Sequence, residues 1–180
     1  MLYQTFFRAG LIFALFVAGA QAQTVAVDIG HTLAASGATS ARGRSEFEFN
    51  RDLAWQLVSA LRERGLTVRV INAVSRENPD LPRSLLCARV AGARLQRLGF
   101  VPTHKNARRR PYADATHAVH YYDGLAVLRH ATMPALLFEA GVIKHRDEEL
   151  LLRDPVRQAR MADGIATAIA ACLRNGDPAR

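Results

Sequence analysis

Cysteine, acidic residues and long apolar runs are all scarce in this 180-residue chain. The two cysteines, Cys87 and Cys172, are too few for a disulfide scaffold. Neither lies in a Cys-x-x-Cys pair, which excludes thiolate zinc fingers and thioredoxin-like redox sites. The sequence has no G-x-G-x-x-G or Walker loop, so nucleotide-dependent chemistry is disfavoured. No apolar run reaches the roughly 20 residues that a membrane-spanning helix needs, and there is no internal repeat, linker or low-complexity segment. Asp plus Glu number 16 against 24 Lys plus Arg, a net charge of +8 that favours anionic surfaces. Charge alone does not choose between nucleic acid, lipid and an acidic polymer. What remains is a globular composition, 49% hydrophobic and 22% charged, long enough for one domain with a sizeable core.

The N-terminus reads as an export signal. A short n-region with the single charge of Arg8 precedes a 12-residue apolar stretch, and Ala20-Gln21-Ala22 forms an A-x-A cleavage site. Residues 1–22 are therefore expected to be a secretory signal peptide, with no transmembrane anchor left after cleavage and no lipid-modified cysteine. Export places the chain in the periplasm or cell wall and away from nucleic acid.

Thr24-Val-Ala-Val-Asp-Ile-Gly30 is a β-branched run read as a buried strand. A small-residue loop follows, and then Leu53, Leu57 and Leu61 form a helical stripe from about Asn50 to Arg64, closed by Gly65. Thr67–Ile71 is a second strand, and strand, helix, strand in this order predicts a parallel βαβ unit. A second helix is predicted from about Ser84 to Leu98, and residues 101–124 read as loop. Met133-Pro-Ala-Leu-Leu-Phe138 is expected to be another short strand. A final helix has Asp154 as N-cap and Pro155 at its first position. The expected fold is a single α/β domain over 23–175, a mostly parallel sheet flanked by helices, followed by a tail at 176–180. Cys87 and Cys172 fall on predicted helices as buried small residues, and an oxidising compartment also permits a bond between them.

Three polar residues stand where apolar elements end: His31 after the first strand, Glu48 before the first long helix, and Glu139 after Phe138. Carboxyl ends of parallel strands carry the ligand sites of open α/β sheets. A histidine and carboxylates converging there have the donor types that hold zinc with one position open to water. Each residue alone has a plainer reading, a structural histidine or a first-turn helix charge.

Their context sharpens the choice. Val25-Ala-Val-Asp28-Ile-Gly30-His31, Gly37-Ala38, Glu48-Phe-Asn50 and Pro134-Ala-Leu-Leu-Phe-Glu139-Ala-Gly141, in this order, resemble the zinc-dependent N-acetylmuramoyl-L-alanine amidases of bacterial cell walls. The stretch Asp147–Asp154 is similar to the segment that follows the catalytic glutamate in that family. The resemblance implies peptidoglycan as substrate, one zinc ion as cofactor, His31 and Glu48 as zinc ligands and Glu139 as the catalytic acid/base. Glu46 rivals Glu48 as ligand, with the E-x-Asn register favouring Glu48. Whether an activator protein is needed is left open.

The pattern breaks at one place. The family carries a third zinc-ligand histidine at the end of a central strand, expected here between Val68–Ile71 and Glu139, and no such strand-plus-histidine occurs. A block holding one helix, one strand and that ligand is missing near Ala73, through a natural deletion or a gene-model error. His117, His120 and His104 are the candidates to replace it; His117 and His120, three apart, would align on a helix, while the nearby Pro111 and Tyr121-Tyr-Asp-Gly point to loop or short strand. The alternative function is a catalytically inactive, peptidoglycan-binding relative that has lost its zinc site. The Lys105–Arg110 cluster reads as a solvated loop or a docking patch for anionic polymer.

Overall fold

The computed structural model describes residues 23–71, 81–104, 109–131 and 133–175. The expected signal sequence at 1–22, the expected break near Ala73, Lys105–Arg108 and the expected tail at 176–180 lie outside the described residues. Alternating β-branched residues form β1 (Thr24–Asp28), and the leucine stripe forms α1 (Glu46–Arg62). The chain then returns in β2 (Thr67–Ile71), which pairs parallel with β1 from Thr24↔Thr67 to Asp28↔Ile71. The predicted βαβ unit is present. Gly65, at a φ of +75° that favours glycine, ends the turn between α1 and β2.

Beyond it come α2 (Leu81–Arg97), a small antiparallel pair of β3 (Tyr112–Asp114) and β4 (Val119–His120), and the single turn α3 (Ala126–Arg129). The chain ends in α4 (Arg146–Arg153) and α5 (Pro155–Asn175). The Asp154 carboxylate accepts from the Val156 N–H at 2.9 Å, capping α5 as its sequence indicates.

Helix α5 is the central pillar and packs against both α1 and α2. Its small residues make this possible: Ala162, Ala166, Ala168 and Ala170 are buried, and a Cβ on Gly164 would come within 2.8 Å of Leu98. One core joins Val27 and Ile29 to Phe47, Val58, Leu61 and Ala166; a second joins Leu95, Met161 and Ile165. Leu61 is wholly buried, contributing about 1.5–3 kcal/mol of apolar transfer. A disulfide between Cys87 and Cys172, with Cα atoms 5.4 Å apart, fastens α2 to α5.

Three expectations are corrected. Residues 133–138 are not a strand: the parallel sheet among the described residues consists of β1 and β2 alone, and this segment does not join it. The Ala135 N–H is taken instead by the Ser84 hydroxyl at 2.9 Å, while Phe138 and Ala140 still pack on the second core. For the same reason β1 is only partly buried, with Val27 its one buried residue. Residues 101–124, read as loop, contain the β3–β4 hairpin.

Candidate functional site

At the carboxyl end of β1 the chain passes through Gly30 into His31, which adopts a left-handed φ of +69°. The Asn50 side chain on α1 donates to the Gly30 carbonyl at 3.1 Å and fixes this turn. The loop from Ser36 to Ser45 then folds back over the start of α1. Glu46 N–H donates to the Ala38 carbonyl and Phe47 N–H to the Ser36 carbonyl. In return the Ala38 N–H donates to the Glu46 carboxylate at 2.8 Å. The outcome is a pairing of His31 Nε2 with Glu46 Oε2 at 3.3 Å. Gly37 is pressed against both, since a Cβ there would stand 2.7 Å from the carboxylate oxygen and from the imidazole.

The structure thus brings Glu46 to His31, and Glu48 is engaged elsewhere. Its carboxylate accepts from the Ser45 hydroxyl at 2.8 Å and the Ser45 N–H at 3.2 Å, a capping-box arrangement. The Ser45 hydroxyl bond, aided by the Ser45 N–H, Arg44 and Arg51, holds the Glu48 carboxyl below the usual glutamate range. A sequence signal for this existed: Ser45-x-x-Glu48 is itself a capping box, which commits Glu48 to the helix start.

Whether this pair fits zinc is a matter of donor chemistry and spacing. Zinc bonds of about 2.0–2.2 Å in tetrahedral geometry set two ligand atoms roughly 3.3–3.5 Å apart. The 3.3 Å between an imidazole nitrogen and a carboxylate oxygen matches that spacing. The pair fits two ligand positions. Among the described residues no group of three or more His, Cys, Asp or Glu able to hold a metal forms.

The substitute histidines are occupied in other ways. His117 Nδ1 lies 2.8 Å from the Asp114 carboxylate, and its Cβ packs on Gly92 of α2. This contact, with backbone N–H bonds, holds the Asp114 carboxyl below its ordinary range. His120 Nδ1 meets the Arg110 carbonyl at 2.9 Å while its ring stacks on Tyr112 at 4.4 Å; His104 Nδ1 meets the Tyr112 hydroxyl at 2.7 Å. Because 115–118 is a turn between strands, with Ala118 at a φ of +50°, the His117–His120 spacing is not that of a helix face.

Glu139 follows the irregular 133–138 segment and keeps 60% of its side chain exposed. Its carboxylate stands 3.7 Å from the Arg110 guanidinium. Gly141, two residues on, lets α4 come close: a Cβ there would lie 2.6 Å from the Glu148 carboxylate. Arg110 and its surroundings carry no sequence signal beyond a cluster of basic residues.

Residues 101–171 match the family profile of N-acetylmuramoyl-L-alanine amidase. No curated protein sequence matches the chain. Among solved structures, Ami1 from Mycobacterium smegmatis superposes with a TM-score of 0.70 at 17% identity, covering 86% of this chain and 98% of that one. The amidase AmiC2 of Nostoc punctiforme gives 0.65 at 18% identity, over 87% and 99% of the two chains. The CwlD amidase from Clostridioides difficile, solved in complex with the GerS lipoprotein, gives 0.67 at 15%, over 86% and 100%. Residues 101–171 thus match the N-acetylmuramoyl-L-alanine amidase profile, and the described residues share the α/β fold of the solved amidases.

Proposed function

We propose that the chain is a peptidoglycan hydrolase cleaving the amide between N-acetylmuramic acid and L-alanine. The observation that carries this reading is the His31–Glu46 pair, set at zinc-ligand spacing at the carboxyl end of β1. In this reading His31 and Glu46 hold one zinc ion and Glu139 is the general acid/base. Bound zinc supplies polarisation of a carbonyl and a water whose pKa falls to roughly 7. Glu139, exposed and unburdened by a hydrogen-bonded partner among the described residues, accepts a proton from the attacking water and returns it to the leaving nitrogen. Arg110, 3.7 Å away, orients that carboxylate. Residues 1–22 direct export, so the substrate is met in the periplasm or cell wall. Among the described residues no helix is long and apolar enough to cross a membrane.

A second reading, a peptidoglycan-binding relative without turnover, is favoured by the lack of a three-ligand cluster among the described residues. Two measurements on the purified chain separate them: zinc content after dialysis against metal-free buffer, and release of soluble peptides from peptidoglycan. Retained zinc with release that Glu139→Gln abolishes supports the hydrolase. Release unaffected by Glu139→Gln overturns the role given to Glu139. Binding to insoluble peptidoglycan with no release at any added zinc concentration supports the binder.

A further inference from the structure

Where α2 ends against the first turns of α5, a tight turn sorts its side chains by character. The Leu98 N–H donates to the Arg94 carbonyl at 3.1 Å, the Gly99 N–H to the Gln96 carbonyl at 2.8 Å and the Phe100 N–H to the Leu95 carbonyl at 3.0 Å. Gly99 takes a φ of +82°, so the helix closes on a glycine cap. Phe100 is thereby packed on the core of Leu95, Met161 and Ile165, while Val101 is left 90% exposed. From α5, the Arg157 guanidinium lies over the Phe100 ring at 4.6 Å and that of Arg160 at 5.7 Å. Arg160 also donates to the Leu98 carbonyl, which fixes α5 to the turn. Val156, beside Arg157, is 74% exposed. Two aliphatic tips therefore flank an aromatic ring covered by arginines.

The charge around them is of one sign. Arg94 and Arg97 stand in the last turn of α2, and Arg153 in the last turn of α4, just before α5. The sequence holds no Asp or Glu from Leu81 to Ala113, residues 105–108 included. Asp154 is the one acid between Arg153 and Arg160, and its carboxylate is engaged by the Val156 N–H. Among the described residues no carboxylate lies within ion-pair distance of Arg94, Arg97, Arg153, Arg157 or Arg160. A single exposed valine needs no explanation. Aliphatic tips set among arginines have a specific complement: an anionic layer for the cations, with an apolar layer directly beneath it for the tips. A hydrated polyanion would meet the arginines but give the valines nothing. We propose that this face docks on the surface of an anionic lipid bilayer, its arginines at the phosphate level and Val101 and Val156 dipping into the interface. The proposal is independent of zinc and of the hydrolase reading, since it concerns where the chain sits and not what it cuts.

The test is co-sedimentation of the full chain with phosphatidylcholine vesicles, with and without phosphatidylglycerol. The apolar stretch near the N-terminus is common to both vesicles and to every variant, so the readout is the ratio of the two affinities. That ratio should favour the anionic vesicles about a hundredfold or more at low salt and shrink as salt rises. Arg97 and Arg153 are both exposed, so Arg97→Gln/Arg153→Gln should lower the ratio about tenfold or more with the melting temperature kept. Arg97→Lys/Arg153→Lys should retain most of it. Arg69→Gln/Arg129→Gln removes the same charge from β2 and α3, which lie outside the patch, and should change the ratio less than about twofold. Val101→Ser/Val156→Ser should weaken binding to the anionic vesicles about tenfold and leave binding to inorganic polyphosphate, a soluble polyanion, unchanged. No preference for anionic vesicles overturns the proposal. An equal loss in both arginine pairs also overturns it, by reducing the attraction to net charge. Vesicle binding that ignores the valines overturns it in favour of an anionic polymer. Docking that persists in a chain releasing nothing from peptidoglycan refutes the hydrolase reading and leaves this one standing.

Discussion

Glu149 on α4 places a carboxylate oxygen 2.7 Å from the hydroxyl of Ser40, a residue 109 positions earlier in the chain. The carboxylate is wholly buried, and it also accepts from the Arg42 N–H at 3.2 Å and the Arg42 guanidinium at 2.6 Å. Ser40 in turn accepts from the Arg44 N–H at 2.9 Å. Through this one side chain, α4 sets the loop that presents Gly37 and Ala38 to the His31–Glu46 pair.

This bond network makes stability acid-sensitive. Burial alone would raise the Glu149 pKa, but the Ser40 and Arg42 bonds and the Arg42 charge outweigh it and the net direction is down from 4.5. Asp114 is lowered from 3.8 and Glu48 from 4.5, each by the hydrogen bonds it accepts. A carboxyl with a lowered folded pKa contributes stability above its unfolded value, and that contribution is lost as pH falls through the folded one. Melting temperature should therefore hold above about pH 5 and fall steadily below the 3.8–4.5 range. Glu149→Gln should lower the neutral-pH value and flatten the acid limb; an unchanged acid limb would contradict this account.

The Cys87–Cys172 bond closes a loop with a sequence separation of 85. Loops of that size give about 2–5 kcal/mol of stabilisation, which for a chain of this length is roughly 10 °C in melting temperature. Thermal melts with and without reductant, and of the Cys87→Ser/Cys172→Ser double variant, should show that loss. Identical melts would mean that the bond does not form in the purified chain.

Gly37 and Gly43 both have positive φ, +76° and +85°, but only Gly37 crowds the site. Alanine at either position carries a backbone cost of about 1–2 kcal/mol. Gly37→Ala should in addition displace the His31–Glu46 pair and weaken zinc binding about 10–100-fold. Gly43→Ala, with nothing within 4 Å of its Cβ, is the control. Competition with a zinc-binding dye measures both; equal affinities would separate the pair from the metal.

Glu46 and Glu48 should differ in kind. Glu46→Gln is expected to reduce zinc affinity with little change in melting temperature. Glu48→Gln is expected to lower melting temperature by loosening the start of α1 and to leave zinc affinity intact. The reverse pattern would restore Glu48 as the ligand.

The local elements were legible because their causes are local. β-Branched alternation made β1 and β2, the Leu53–Leu57–Leu61 stripe made α1, and Asp154-Pro155 marked the start of α5. The motifs around His31 and Glu139 also announced the family. Other features depend on distant partners. Met133–Phe138 carries strand-like residues, but a strand exists only when its backbone pairs with a neighbour, and this segment pairs with neither β1 nor β2. Glu46 stands beside His31 because the Ser36–Ser45 loop closes back on α1 and turns this carboxylate toward the imidazole, while Glu48 bonds Ser45. His117 and His120 lie in a short hairpin, as the nearby Pro111 and Tyr121-Tyr-Asp-Gly indicated, and are held there by Asp114 and Arg110. Sequence by itself determined the βαβ unit, the presence of α1, α2 and α5 and the kinds of donor available, while α1 starts at Glu46, four residues before the expected Asn50, and so takes Glu48 into its first turn. Tertiary structure decided which carboxylate meets which histidine, because that depends on how the Ser36–Ser45 loop and two helices pack across more than a hundred residues.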